Sequence, residues 1–596
     1  MRPIPLWEMT EELSGVAMGR LKAHTVIRQG ILVNVNTAEI IANVDVAIYK
    51  GRIAYVGEDA SHTIGQETEI FDTHGLYLCP GFLDGHLHVE SSMVGLTEFS
   101  KTVLCHGTTT IFMDPHEIAN VLGVKGIKMM VEEGKNLPLK VFATIPSCVP
   151  AAAEFEDAGA SIELDDIAEM LSWPQTAGLG EMMNYPGIIF GDCQSHRKVQ
   201  ITLKAGKPVT GHFASPSTGI DLQAYIASGC SSCHESTRKE EALAKMRLGM
   251  YAMLREGSAW QDVKQTVKAI TEKRIDSRFA ILVSDDTHPE SLLARGHINY
   301  VMRRAIEEGL EPVKAIQMVT INPARYFNKE ADLGSISPGK CADILVLKDL
   351  AGVEVDKVFA NGKLVAQEGR LLLEPPAYKY PDWARSTVNI KHPLKPDDFN
   401  IEPPQGAQKD VVVKVIKAIE SKAVTQSITA RLDITETDVP ASIAADIIKI
   451  ACIERHKGTG TIGLGFVTGF ALKGGAVAST VAHDSHNLLI IGTNNNDMAL
   501  AANELAAAGG GMIVVRDGKV LALLKLPVAG LMSEQSIGQV ADNIEKLTAA
   551  WQALGCTMKS PFMTMSLLSL PVIPQLRLTN RGLVDVDTFA FTDLFV

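Results

Sequence analysis

Residues 80–92 read PGFLDGHLHVESS. A Pro-Gly turn leads into a short apolar run that ends in His86-Leu87-His88. On an extended strand alternate side chains share a face, so the two imidazoles project to the same side. At the C-terminal end of a barrel strand that side opens into the mouth, where barrel enzymes build their sites. Two histidines so spaced are also compatible with ordinary packing. Asp84 and the Pro-Gly turn beside them favour a built site.

Downstream, from about residue 81 to 335, short apolar runs such as TTTIFMD, KVFATIP, KPVTGHF and FAILVSDD alternate with helical stretches such as EEALAKMRLGMYAMLREG. Strands alternating with helices imply βαβ units and a parallel sheet. About 255 residues is near the usual size of an eight-fold barrel; an open doubly wound sheet is the alternative. Several of these runs close on a metal-binding type of residue: Glu181 in TAGLGEMMN, His212 in KPVTGHFAS, His234 in SGCSSCHES, Asp285 in FAILVSDDTH. Singly, Glu181 reads equally well as a solvated loop carboxylate, His212 as a core histidine and Asp285 as a helix cap. The ordered series His-x-His, Glu, His, His, Asp, each member ending a strand-like segment, points to one shared centre.

The flanks have a different rhythm. Residues 1–20 look like a partly helical lead-in. Residues 21–80 carry β-branched residues and turn signals of short antiparallel strands, and a related pattern returns within 336–390. Together they predict one small β-sandwich domain into which the barrel (81–335) is inserted. A Pro- and Lys-rich stretch marks a linker at 391–406. Residues 407–596 are read as a β-rich α+β domain, with helical patches near 441–453 and 534–553. The expected fold class is thus α/β, a distorted (β/α)8 TIM barrel with two accessory domains.

Composition narrows the partners. A net charge of −13 with no Lys/Arg-rich run argues against nucleic acid or an anionic membrane surface. No run of about eighteen apolar residues appears, so no membrane span is expected, and the N-terminus has no secretory-signal pattern. Nine scattered cysteines read as reduced, cytoplasmic thiols. Two motifs are decoys. Cys230, Cys233 and His234 match the c-type haem pattern, but His234 is better used as a neutral imidazole ligand. HKGTGTIG, residues 456–463, contains Gly-x-Gly-x-x-Gly without the strand-to-helix context of a dinucleotide site.

The ordered ligand set resembles the amidohydrolase superfamily, and GFLDGHLHVESSM, GTTTIFMDPHEIANV, GLGEMMNYPG, SDDTHPE and VAHDSHNLLIIGTNNNDM are similar to the adenine deaminase family within it. The resemblance implies two divalent ions, Mn2+ or Fe2+ with Zn2+ also suited to the donors. In that family pattern His86 and His88 hold the first metal, His212 and His234 the second. Glu181 bridges, where hydantoinase-like relatives use a carboxylated lysine, and Asp285 ligates the first metal and shuttles protons. The implied reaction is hydrolytic deamination of adenine to hypoxanthine and ammonia, a purine-salvage step, by a metal-activated hydroxide attacking carbon 6. Glu90 and the His116–Glu117 pair are candidates for protonating the purine ring. His483, Asp484 and His486 are expected either to reach over the barrel mouth and touch substrate or to form a polar turn. A cytoplasmic homodimer is the family expectation. A cyclic amidase of the dihydroorotase or hydantoinase type, and a non-enzymatic metal-binding barrel, are the rival readings.

Overall fold

A computed structural model describes residues 4–420 and 422–596; residues 1–3 of the expected lead-in lie outside the described residues. Its centre is a barrel of eight parallel strands: β1 Phe82–His88, β2 Thr108–Met113, β3 Lys140–Ile145, β4 Thr176–Met182, β5 Val209–Gly211, β6 Ser232–Cys233, β7 Tyr251–Arg255 and β8 Ala280–Val283. Most are buried on both faces, which is why they read as near-continuous apolar runs. Inside, Leu83, Phe112, Ala177, Met253 and Ile281 form one packed layer. Phe327, stacked on Phe112 at 3.9 Å between ring centroids, closes it from below. The open end is therefore the C-terminal one.

The barrel is distorted at two seams. Strands β1 to β5 and β6 to β8 are each paired in order. The first seam, between β5 and β6, is joined by a single bridge, Val209 to Cys230. The second closes when Asp285–Asp286, continuing β8, pairs with Leu87–His88 of β1. In β1 itself three steps, Asp84 to Leu87, oppose two in β2, Ile111 to Met113. Such a bulge re-aims the side chains beyond it. Asp84 accordingly points to the outside of the barrel, bonded to Ser284 and His297, while His86 and His88 turn into the mouth.

Strands that precede and follow the barrel in the chain form one nine-stranded sheet. Its order runs from Arg370–Leu371 through Ile344–Leu347 and Tyr77–Pro80 to Thr25–Asn34 and finally Arg52–Gly57. It curls until the Arg52 edge bridges Cys341, so the expected sandwich is a single sheet folded over the core of Ile27, Val46, Leu78, Ile344 and Phe359. The lead-in helix Thr10–Ala17 packs Leu13 and Val16 on its outer face.

The C-terminal domain is an eight-stranded sheet spanning 410–525 with a separate three-stranded ribbon at its end. The helical patch expected at 441–453 is instead a turn, Ile443–Ala445, and the strand Ile448–Ile453. Paired on both sides, that strand buries all six residues, and β-branched isoleucines suit it better than a helix. The expected helix near 534–553 is present as Ile537–Ala553. Residues 391–406 do not hang free: Leu394 and Phe399 enter the core beneath the helix Asn495–Ala507. The Glu454 carboxylate accepts hydrogen bonds from the amides of His456, Lys457 and Thr459. The glycine-rich loop at 456–463 thus wraps an internal carboxylate, which occupies three of its amides.

Trp551 is fully buried, with Phe470 at 5.8 Å and Phe562 at 5.2 Å between ring centroids. Replacing it with alanine removes the anchor of the Ile537–Ala553 helix. The expected cost is about 3–5 kcal/mol, read as a lower urea midpoint of the C-terminal transition.

Candidate metal centre and its surroundings

Glu181, on β4, sits buried at the middle of the mouth, and its two oxygens face different partners. Oε1 lies 3.3 Å from His88 Nε2 and 4.0 Å from His86 Nε2. Oε2 lies 2.6 Å from His212 Nδ1 and 3.1 Å from His234 Nε2. Asp285 comes in from the closing seam, its Oδ1 3.4 Å from His88 Nε2 and 3.7 Å from His86 Nε2. Donor atoms of His86, His88 and Glu181, of His86, His234 and Asp285, and of Glu181, His212 and His234 lie within 4.8 Å of one another in each set. The structure thus brings together all six residues singled out as ligands.

The donors are prepared for cations. His88 Nδ1 is 2.9 Å from the Asp114 carbonyl. Its N–H is used there, which leaves Nε2 with a lone pair facing the centre, the usual way a metal-ligating histidine is oriented. His86 Nε2 is buried without a hydrogen-bond partner, an arrangement that costs free energy unless something else satisfies it. Burial and the adjacent His234 push His86 down to about 3, so it is a neutral donor. Imidazoles with carboxylates at this spacing fit divalent transition metals.

Three residues that the sequence pattern did not single out complete this environment. Asp114 Oδ2 accepts the Glu181 amide at 2.9 Å while its carbonyl orients His88. Glu235, next to His234, places Oε1 3.4 Å from that ring and 3.8 Å from His212. Arg255, ending β7, donates Nη1 to Asp285 Oδ2 at 3.0 Å and also pairs with Glu235 and Asp262. The available signal was that each, like the ligands, closes a barrel strand.

The segment His483–His486 is a turn between the strands Ala476–Ser479 and Leu488–Gly492, and it also reaches the barrel. Its partner is Glu117, at the start of the helix after β2. His483 Nδ1 is 2.6 Å from Glu117 Oε1, and His486 Nε2 bonds Glu117 Oε2. His486 Nδ1 accepts the Ala482 amide, so Nε2 carries the proton it donates to Glu117. This trio also has metal-like spacing, yet its hydrogens already satisfy it. Burial opposes a charge on Glu117, but His483, His486 and His116 outweigh that and hold the carboxyl well below its usual range. In this arrangement Glu117, one of the three candidates for protonating the ring, is an ionised carboxylate with both oxygens engaged. His116 is also engaged, with Nδ1 3.3 Å from Glu181 Oε1 and Nε2 3.4 Å from Glu117 Oε1. Glu90 follows β1; its Oε1 accepts the Ile118 amide at 3.1 Å. Cys230 and Cys233 are buried, with Cys233 Sγ accepting the amides of Phe213 and Glu235, an environment with no room for a haem.

A barrel with this donor set defines a metal-dependent hydrolase, and the amidohydrolase family model matches residues 77–365. The adenine deaminase C-terminal domain model matches residues 422–590. An adenine deaminase of Moorella thermoacetica is 59% identical over 590 residues, covering 99% of this chain and 98% of the relative. Those of Clostridium botulinum (strain ATCC 19397 / Type A) and Mesorhizobium japonicum are 53% and 48% identical, covering 99% and 100% of this chain and 98% of each relative. The chain belongs to the adenine deaminase family.

Burial lowers His483 but the facing Glu117 outweighs it, raising the ring to about 9 from an ordinary 6.5. A base raised on folding contributes stability that is complete below its ordinary pKa and is lost as pH rises through the folded value. Thermal stability of the docked C-terminal domain should therefore fall between about pH 6.5 and pH 9. In Glu117→Gln that fall should flatten, as differential scanning calorimetry across this range would show.

Proposed function

We propose that the protein hydrolyses adenine to hypoxanthine and ammonia. Divalent cations would be held by His86, His88 and Asp285 on one side, by His212 and His234 on the other, and by Glu181 between them. The observation that carries this reading is the divided Glu181 carboxylate, one oxygen toward each pair of histidines. The near full-length similarity to proteins named adenine deaminase supports the substrate. Bound there, divalent cations lower the pKa of water toward about 7 and so supply hydroxide at neutral pH.

The protein's own groups do the rest. Asp285 has Oδ2 fixed by Arg255 and Oδ1 turned to the centre beside His88 and His86, which sets its carboxylate where the attacking water would lie. It takes a proton from the attacking water and delivers it to the departing amine, which leaves as ammonia. Positioned acid–base groups of this kind contribute about 10²–10⁴-fold each. Glu181, held by the Asp114 contact to its amide, fixes the spacing of the two histidine pairs. The His483–His486 turn closes the mouth from above and excludes bulk water. In this reading His483 and Asp484 would meet the substrate, and His486 acts by holding Glu117.

The test is an ammonia-release assay on adenine and N6-substituted adenines, beside hydantoin and dihydroorotate, with metal analysis of the same preparation. Ammonia from adenine with about two cations per chain is expected from the paired donor sets. Ring opening of hydantoin or dihydroorotate without adenine turnover would overturn the reading in favour of a cyclic amidase. In Asp285→Asn the cations should stay bound while kcat on adenine falls about 10²–10⁴-fold.

A further inference from the structure

Asp84 is fully buried on the outer side of β1, behind the centre, and takes no part in the chemistry described so far. Its Oδ1 accepts the amide of His86 at 3.2 Å and the amide of Ser284 at 3.3 Å. Its Oδ2 accepts the Ser284 hydroxyl and lies 3.1 Å from His297 Nε2. A carboxylate only accepts and offers about four sites, so His297 Nε2 carries the hydrogen it shares with Asp84. On the far side of that buried ring, Nδ1 meets Thr108 Oγ1 of β2 at 2.8 Å. Phe99 packs edge-on against it at 5.5 Å between ring centroids.

The position of this carboxylate is what gives it a role. His86 and Asp285 reach the centre from β1 and β8, which meet only at the closing seam. Among the described residues their backbone pairing starts at Asp285 with Leu87. Lower down, the Leu83 amide is donated to the Val319 carbonyl instead, at 2.7 Å. One step before the pairing starts, Asp84 Oδ1 takes an amide from each strand: that of His86 itself, and that of Ser284, which precedes Asp285. The side chain stands in for a missing rung of the ladder. Its bonds go to the backbone that carries two of the donors, whose side chains then approach to 3.7 Å, His86 Nε2 to Asp285 Oδ1. Gly85 leaves no slack between Asp84 and His86, because a Cβ there would sit 3.0 Å from Ile281 Cγ2. On the other side of Glu181, His212 is held independently, its amide donated to the Tyr225 hydroxyl at 3.1 Å.

We propose that Asp84, held from outside by His297, is a positioning residue that clasps β1 to β8 and so fixes the His86–Asp285 half of the centre. The proposal rests on the two-cation reading of that centre. Groups that orient metal ligands change metal affinity about 10–100-fold when they are lost. Loss of this clasp falls unevenly on the two halves, which a general loss of stability would not do.

The experiment uses full-length protein loaded with Mn2+ as wild type, Asp84→Ala, Asp84→Asn and His297→Leu. His86→Ala and His212→Ala serve as references for a centre damaged on one side. Cation binding is read by equilibrium dialysis and electron paramagnetic resonance, and backbone exchange at 82–88 and 280–286 by hydrogen–deuterium mass spectrometry. In Asp84→Ala one of the two cations should bind about 10–100-fold more weakly than in wild type. The coupled-pair spectrum should then give way to that of an isolated ion resembling His86→Ala. Asp84→Asn keeps an oxygen for both amides and should recover most of that affinity. The proposal is overturned if Asp84→Ala binds both cations as wild type does, loses both in equal measure, or resembles His212→Ala. A wild type that binds no more than one cation would sink the two-cation reading instead. Exchange then decides the clasp: both segments should exchange faster in Asp84→Ala than in Asp84→Asn, and equal exchange overturns it. Should Asp84→Ala fail to fold, His297→Leu decides by the same readouts. The same uneven loss is expected there in smaller measure, and equal loss or none overturns the proposal.

Discussion

The molecule is organised around one buried carboxylate that has to satisfy imidazoles on both sides. Glu181 is 4% exposed and touches four of them within 3.3 Å, counting His116. An isolated carboxylate at such a depth would be neutralised or expelled. Here a ring of donors from separate barrel strands compensates it, and the ring exists only if the strands end at the same height. The packed floor of Phe112 and Phe327 sets that height from below. The Asp114 contacts set it from the side, because the residue that orients His88 through its carbonyl also anchors the Glu181 amide through its carboxylate.

The barrel's distortion and its chemistry have a common cause. A regular closed barrel uses its backbone groups in continuous ladders, which leaves little freedom to tilt individual strand ends. The two seams relax that constraint. His212 and His234 follow strands of three and two residues joined by a lone bridge, and Asp285 sits where β8 steps across to β1. The bulge in β1 does the same for His86 and His88. The candidate ligands other than Glu181 thus stand at seams or at a bulge, while Glu181 lies within β4, paired on both sides.

Much of this was readable in the sequence, for identifiable reasons. The clustering of the strand-ending candidate ligands was legible because a metal-binding type of residue closing an apolar run is a local pattern, and the buried parallel strands announced themselves as apolar runs. The bulge was not legible: Asp84, His86 and His88 have the same parity, and nothing in their order says that Asp84 faces away. Arg255 and Glu235 were missed because a charged residue at a strand end is common, and only the fold shows that it meets Asp285. The strand Ile448–Ile453 was misread because a short apolar run carries no period that separates helix from strand. The partner of Glu117 lies 369 residues away, a separation across which single-sequence reasoning has no reach.

That last contact explains why the C-terminal domain cannot be a passive appendage. Glu117 begins the helix after β2 and is buried next to Glu90, His116 and the centre. Two carboxyl groups in one dry cavity repel each other, so one must be neutral or compensated. From the barrel itself Glu117 has His116, which also faces Glu181. His483 and His486 supply the missing compensation from outside, and they do so through a turn whose intervening residue, Asp484, is carried to the same place. Charge balance in the barrel is therefore a consequence of the docking of the C-terminal domain, and the domain that stabilises the ionised Glu117 necessarily brings the His483–His486 turn with it.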